Sequence, residues 1–145
     1  MFVENLKETL NLGEKLSHKL NPQSIVLLQG PIGAGKTSLV KGIAQGLCIS
    51  EDITSPTFAL SHHYKSGKIP LIHLDLYMLE NISSAKEVFY SEEEEALQSK
   101  AILVIEWPEL IEPYIENFWK IKISYAKNFG RHYEIRDPKN LLTFS

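Results

Sequence analysis

The chain contains one cysteine, Cys48, among 145 residues, so it can form neither an internal disulfide nor a cysteine-based metal cluster. Cys48 falls in the apolar end of a helical stretch and reads as a small core residue. Arginine is also scarce: Arg131 and Arg136 are the only two among 15 cations, and the net charge is −3. A protein that gripped RNA or DNA unaided would show a basic stripe with stacking aromatics along it, and none is visible. If nucleic acid is the eventual substrate, a partner is expected to hold it. No apolar run approaches the ~20 residues of a bilayer span. The N-terminus carries Glu4 and Glu8 where a signal peptide would be basic. These absences predict a cytoplasmic protein without membrane contact. The five histidines lack the spacing of metal ligands, since adjacent His62 and His63 would fall on opposite faces of a strand.

What is present is a soluble, globular composition, 43% hydrophobic and 23% charged. The length suits one domain spanning 1–145, able to bury about 68–70% of its unfolded surface. Within it stands Gly30-Pro31-Ile32-Gly33-Ala34-Gly35-Lys36-Thr37, a full G-x-x-x-x-G-K-[ST] phosphate loop between the apolar run Ile25 to Leu28 and the amphipathic stretch Ser38 to Leu47. Backbone N–H groups can converge on a phosphate only where residues tolerate positive φ and carry no obstructing Cβ, which Gly30, Gly33 and Gly35 supply. The positive end of the following helix then faces the anion. Lys36 can reach the β and γ phosphates, and the Thr37 hydroxyl is placed to ligate Mg²⁺. The pattern implies a bound nucleoside triphosphate.

Val3, Leu6, Leu10, Gly13, Leu16 and Leu20 recur every three or four residues, which predicts a helix over 3–20 ended by Asn21-Pro22. Residues 24–29 read as a buried strand and 37–48 as a helix. Residues 58–64 and 69–77 are strand-like around the turn Lys65-Ser66-Gly67-Lys68. Alternation puts Ile72, Leu74 and Leu76 on one face and His73, Asp75 and Tyr77 on the other. Residues 79–100 are polar and acidic, either helical or irregular, and Glu92 to Glu95 read as a solvated face. A second buried strand, 101–105, ends in Glu106-Trp107-Pro108, and 118–125 and 131–136 form a closing hairpin. The expectation is an α/β, three-layer fold with a mixed, partly parallel sheet flanked by helices.

Phosphoryl chemistry needs a further metal ligand and a group to orient the attacking water. Glu106, at the carboxyl end of a strand parallel to the loop strand, fits the first need. Asp75 interrupts an apolar strand where a charge is costly unless paired or linked to metal, and it is the second candidate. His73 reads equally as a functional group or a hydrogen-bonded core histidine. Thr57 could order its loop on the γ-phosphate or simply stabilise a turn. Trp107, exposed by its place after a strand end, either covers the site or anchors a partner, or is a core-edge tryptophan.

GPIGAGKTSL, TSPTF, HLDLY and IEWPE, in that order, resemble the bacterial TsaE (YjeE) family of small P-loop ATPases over nearly the whole chain. The resemblance implies an ATPase that works with the TsaB and TsaD proteins in the threonylcarbamoyl modification of the adenosine next to the tRNA anticodon. The carbamoyl chemistry would belong to a metal-dependent partner, and tRNA would be met only through partners. Carried over by position, Thr37 and Glu106 are the Mg²⁺ ligands, Asp75 supports hydrolysis and Lys36 serves the phosphates. Gly33, Ala34, Gly35, Ser38, Thr57, Trp107, Arg131 and Leu6 then border ATP. Two features depart from the family pattern: Met78 stands where arginine is usual, and AKEVFYSEEEEALQSKA replaces a glycine-containing segment before IEW. A small-molecule kinase would need lid arginines that two C-terminal arginines do not provide. A scaffold that bound nucleotide without hydrolysing it would have no need of Asp75 and Glu106.

Overall fold

In the computed structural model, which describes residues 1–139, seven strands form one sheet in the order β1-β7-β6-β2-β5-β4-β3. The strands are β1 (Phe2–Val3), β2 (Ile25–Gln29), β3 (Ser61–Tyr64), β4 (Leu71–Asp75), β5 (Ile102–Glu106), β6 (Trp119–Tyr125) and β7 (Arg131–Arg136). The helices are α1 (Leu6–Ser17), α2 (Lys36–Gly46) and α3 (Ile82–Ser99), with a short 3₁₀ turn at Glu112–Tyr114. The middle of the sheet is parallel: β2 pairs with both β5 and β6, and β4 with β5. Antiparallel β3, β7 and β1 close its flanks.

Strand alternation sorts the core into two layers. Val26, Leu28, Leu71, Ile102 and Val104 pack with Leu12, Leu16, Leu39, Val40 and Ile43 of α1 and α2. Leu27, Ile72, Leu74, Leu103 and Ile105 pack with Ala85, Phe89 and Ala96 of α3. The result is the expected three-layer α/β sandwich. Ile72, Leu74 and Leu76 join the α3 layer as their spacing predicts, so His73 and Asp75 face the α2 side.

The differences from expectation have local causes. The helix predicted over 3–20 begins at Leu6, because Asn5 caps it by accepting from the Glu8 N–H, and Phe2–Val3 pair with β7 instead. The strand predicted over 58–64 starts at Ser61: Leu60 has φ of +69°, and Phe58 is 90% exposed. The strand predicted over 69–77 stops at Asp75, whose own carboxylate accepts from the Tyr77 N–H and turns the chain. The acidic segment forms α3, capped by Asn81 accepting from the Ser84 N–H. Its Glu92 is not merely solvated, since it accepts from Ser61 Oγ at 3.2 Å and lies 2.7 Å from His63 Nε2, tying α3 to the sheet edge. Cys48 lies past the end of α2 with φ of +60° and is exposed, so it is not a core residue. Among the described residues, no helix is long and apolar enough to cross a membrane.

Candidate functional site

β2 delivers the chain to the phosphate loop at the carboxyl edge of the sheet, between parallel neighbours β5 and β6. Gly33 and Gly35 have φ of +80° and +101°, the conformations that let the loop curl back over the start of α2. Gly30 serves a different need, close approach: a Cβ there would stand 2.9 Å from the Ile123 carbonyl oxygen. Gly35 occupies the N-cap position of α2, and no side chain caps that end. The first-turn N–H groups of α2 are therefore open to an anion.

Two cavities meet on this loop. One, of about 340 Å³, is lined by Gly33, Gly35, Lys36, Thr37, Ser38, Thr57, Asp75, Glu106 and Trp107, together with Ile32 and Ser55. The second, of about 240 Å³, shares Gly33, Gly35 and Ser38 with it and is bounded by Leu6, Ala34 and Arg131. Its remaining walls are Val3 to Asn5, Thr9 and Phe129. Of the residues singled out from sequence for the site, all but Gly30 and the fully buried His73 line one of two adjoining hollows.

Lys36 is buried and donates from Nζ to the carbonyls of Gly30 at 2.6 Å and Pro31 at 2.9 Å. Its ammonium also stands 4.4 Å from the centre of the Trp107 ring. Burial lowers the Lys36 pKa below its ordinary 10.5, with Glu106, Asp75 and Glu109 opposing that shift. Trp107 is half-buried rather than exposed, held at φ of +57°, with its ring tilted against that of Tyr77 at 4.9 Å between centres.

Asp75 and Glu106 end neighbouring parallel strands in register, which sets two buried carboxylates side by side. Asp75 uses both oxygens: Oδ2 accepts from Thr57 Oγ1 and Oδ1 from the Tyr77 N–H, each at 2.8 Å. Ser55 Oγ lies 2.7 Å from Thr57 Oγ1 and extends this network. Glu106 Oε2 is hydrogen-bonded to His73 Nε2. Hard oxygen donors, the Thr37 hydroxyl and the Glu106 carboxylate, thus face one hollow beside an anion-binding loop, a donor set that suits Mg²⁺.

On the other side of the loop, the β6–β7 hairpin grips the backbone. Tyr125 Oη donates to the Ile32 carbonyl at 2.7 Å, and Arg131 donates from Nη2 to the Gly33 carbonyl at 3.3 Å. The Arg131 guanidinium stacks on the Tyr125 ring at 4.5 Å. Ser55, Tyr125 and Phe129 were missed by sequence reasoning. Ser55 stands two residues from Thr57 and carried that signal; nothing in the spacing of Tyr125 or Phe129 did.

Residues 3–133 match the family model described as threonylcarbamoyl adenosine biosynthesis protein TsaE. A tRNA threonylcarbamoyladenosine biosynthesis protein TsaE from Nostoc sp. is 40% identical over 137 residues, covering 93% of this chain and 83% of that protein. A protein of the same name from Synechocystis sp. is 44% identical over 112 residues, 74% of this chain and 69% of its own length. Among solved structures, Bacillus subtilis YdiB superposes with a TM-score of 0.74 at 26% identity, over 92% of this chain and 80% of that one.

Proposed function

The chain belongs to the TsaE family of tRNA threonylcarbamoyladenosine biosynthesis proteins, and from this we propose that it is a Mg²⁺-dependent ATPase acting in that modification as a single domain over residues 1–145. The observation that carries the reading is the convergence of Lys36, Thr37, Asp75 and Glu106 on one hollow at the open end of α2. Thr37 and Glu106 would hold Mg²⁺, which supplies charge neutralisation across the β and γ phosphates when bound. Lys36 leaves the Gly30 and Pro31 carbonyls to meet the same phosphates. Backbone N–H groups from Gly33 to Ser38 enclose the β-phosphate.

Asp75, already the acceptor for Thr57, orients the attacking water. The water oxygen bonds to the γ-phosphorus, the bond to the β,γ-bridging oxygen breaks, ADP departs and the released proton passes to solvent. The base and ribose fill the second hollow, between Leu6 and Arg131. Partner proteins, TsaB and TsaD, carry the carbamoyl transfer and hold the tRNA, in keeping with the two arginines and net charge of −3. The setting is cytoplasmic.

The test is phosphate release from ATP by the pure chain, alone and with candidate partner proteins, at varied Mg²⁺. Release that requires Mg²⁺ and rises with partners supports the proposal. Labelled phosphate carried onto a small metabolite would replace it with a kinase. Nucleotide uptake without any release would replace it with a scaffold.

A further inference from the structure

We propose that His73 is the positioning residue for Glu106: its Nε2–H holds Glu106 Oε2, so that the carboxylate presents its other oxygen, Oε1, to the nucleotide-bound metal. This rests on the reading of Glu106 as a metal ligand.

Two carboxylates that should repel each other end neighbouring strands. Asp75 and Glu106 are register partners on adjacent strands, roughly 4.8 Å apart along the hydrogen-bonding direction. Both are almost wholly buried, so each needs a fixed donor to remain an anion in place. Asp75 has two, Thr57 Oγ1 and the Tyr77 N–H, which occupy both its oxygens. Glu106 has one side-chain donor, His73, on Oε2. Among the described residues no hydrogen bond reaches Oε1, and Glu106 lines the hollow. Of the two carboxylates, Glu106 is the one with an oxygen that carries no hydrogen bond, whereas each Asp75 oxygen carries one and keeps a second lone pair for a water.

His73 itself has no exposure. It stands two residues before Asp75 on the same face of β4, opposite Val104, from where the imidazole reaches forward to the end of β5. A carboxylate accepts only, so the hydrogen of this bond sits on Nε2. The other ring nitrogen, Nδ1, is buried and has no partner among the described residues. An N–H there would be an unsatisfied buried donor, which is costly. The surroundings therefore select a hydrogen on Nε2, and among the described residues the ring's one polar attachment is Glu106. An ordinary core position would be better filled by leucine.

The experiment uses the whole chain, the imidotriphosphate analogue of ATP and Mn²⁺, with metal uptake read by calorimetry or electron paramagnetic resonance. His73→Leu is expected to weaken metal uptake by the nucleotide complex about 10–100-fold, with metal-free nucleotide affinity unchanged. His73→Gln, whose amide nitrogen can reach the place of Nε2, restores most of it; His73→Asn, one methylene shorter, does not. The Gln and Asn pair decides the matter if His73→Leu fails to fold. Nitrogen-15 spectra of the wild-type chain should show a proton on His73 Nε2. Metal uptake within about two-fold of wild type in His73→Leu, equal behaviour of Gln and Asn, or a ring without a proton on Nε2 would overturn the proposal. A wild-type chain that binds the analogue yet adds nothing to its metal affinity would instead bring down the reading of Glu106.

Discussion

The Lys36 ammonium lies 4.4 Å from the centre of the Trp107 ring while it donates to the carbonyls of Gly30 and Pro31. A phosphate chain entering the loop must draw that ammonium away, so the charge facing the indole changes on binding. The chain's other tryptophan, Trp119, starts β6 and pairs in register with Val26, at the end of the sheet remote from the loop. Saturable change in tryptophan fluorescence on adding ATP is therefore expected to come from Trp107 alone. Trp107→Phe should silence the signal without abolishing binding. Lys36→Ala should lose both signal and tight binding, as equilibrium dialysis would show.

The same lysine gives ATP affinity a pH dependence. In the free chain burial holds the Lys36 pKa below 10.5, while bound phosphates favour the ammonium and raise it. Between the two values binding takes up a proton, so affinity falls as pH rises through the free-state pKa. Below that value the ammonium is present in both states and this term vanishes. Calorimetry in two buffers of different ionisation enthalpy should find proton uptake on the alkaline side and none from this group near neutrality. Affinity that is flat up to pH 10.5 would contradict the assignment.

Asp75 and Glu106 should separate in kinetics. Glu106→Ala is expected to keep much of the ATP binding and lose turnover, since in the proposed site it removes a metal ligand needed when charge develops. Asp75→Asn should also spare binding, but it disturbs the bond from Thr57, so loss of turnover should be accompanied by a looser TSPTF segment. Asp75→Ala leaves Thr57 and the Tyr77 N–H without their acceptor and should lower stability by about 1–3 kcal/mol. Urea melts measure the stability change, and hydrogen exchange of residues 54–60 measures the loosening. Undiminished hydrolysis in Glu106→Ala would rule out its assignment.

Much of this was legible in the sequence because it is local or periodic. Gly33 and Gly35 are needed for their positive φ whatever surrounds them, whereas the need for Gly30 comes from Ile123 standing against it. The alternation in Ile72 to Asp75 follows from strand geometry, and Glu106 is the first charge after the apolar run 101–105. What could not be read depends on pairing across the sheet. His73 acquires its meaning only because β4 and β5 lie parallel and in register, which brings it to Glu106, 33 residues away. Tyr125 meets Ile32 across 93 residues, through a hairpin whose partner β2 no short-range pattern names. Boundaries failed where side chains compete with the ladder, as Asn5 does at α1 and Asp75 at the end of β4. Cys48 was misplaced because the helical period gave no warning that the chain leaves α2 with a positive φ.

The position of the phosphate loop also depends on a seam of glycine between α1 and α2. A methyl added to Gly13 would stand 2.6 Å from the Leu39 carbonyl oxygen and 2.7 Å from the Gly42 Cα; one added to Gly42 would stand 2.5 Å from the Leu10 carbonyl oxygen. These are backbone atoms on both sides, so no rotamer change can relieve the clash and the helices must separate. Gly13→Ala and Gly42→Ala should each cost about 1–3 kcal/mol in urea melts, despite alanine's better helix propensity. The two clashes share one relief, because a gap opened for the first methyl also accommodates the second. The double variant should therefore lose less than the sum of the single losses. Since α2 begins at Lys36, the same displacement should raise the KM for ATP in both single variants before it alters kcat. Additive losses in stability, or unchanged KM with a clear loss of stability, would show that the seam and the loop are independent.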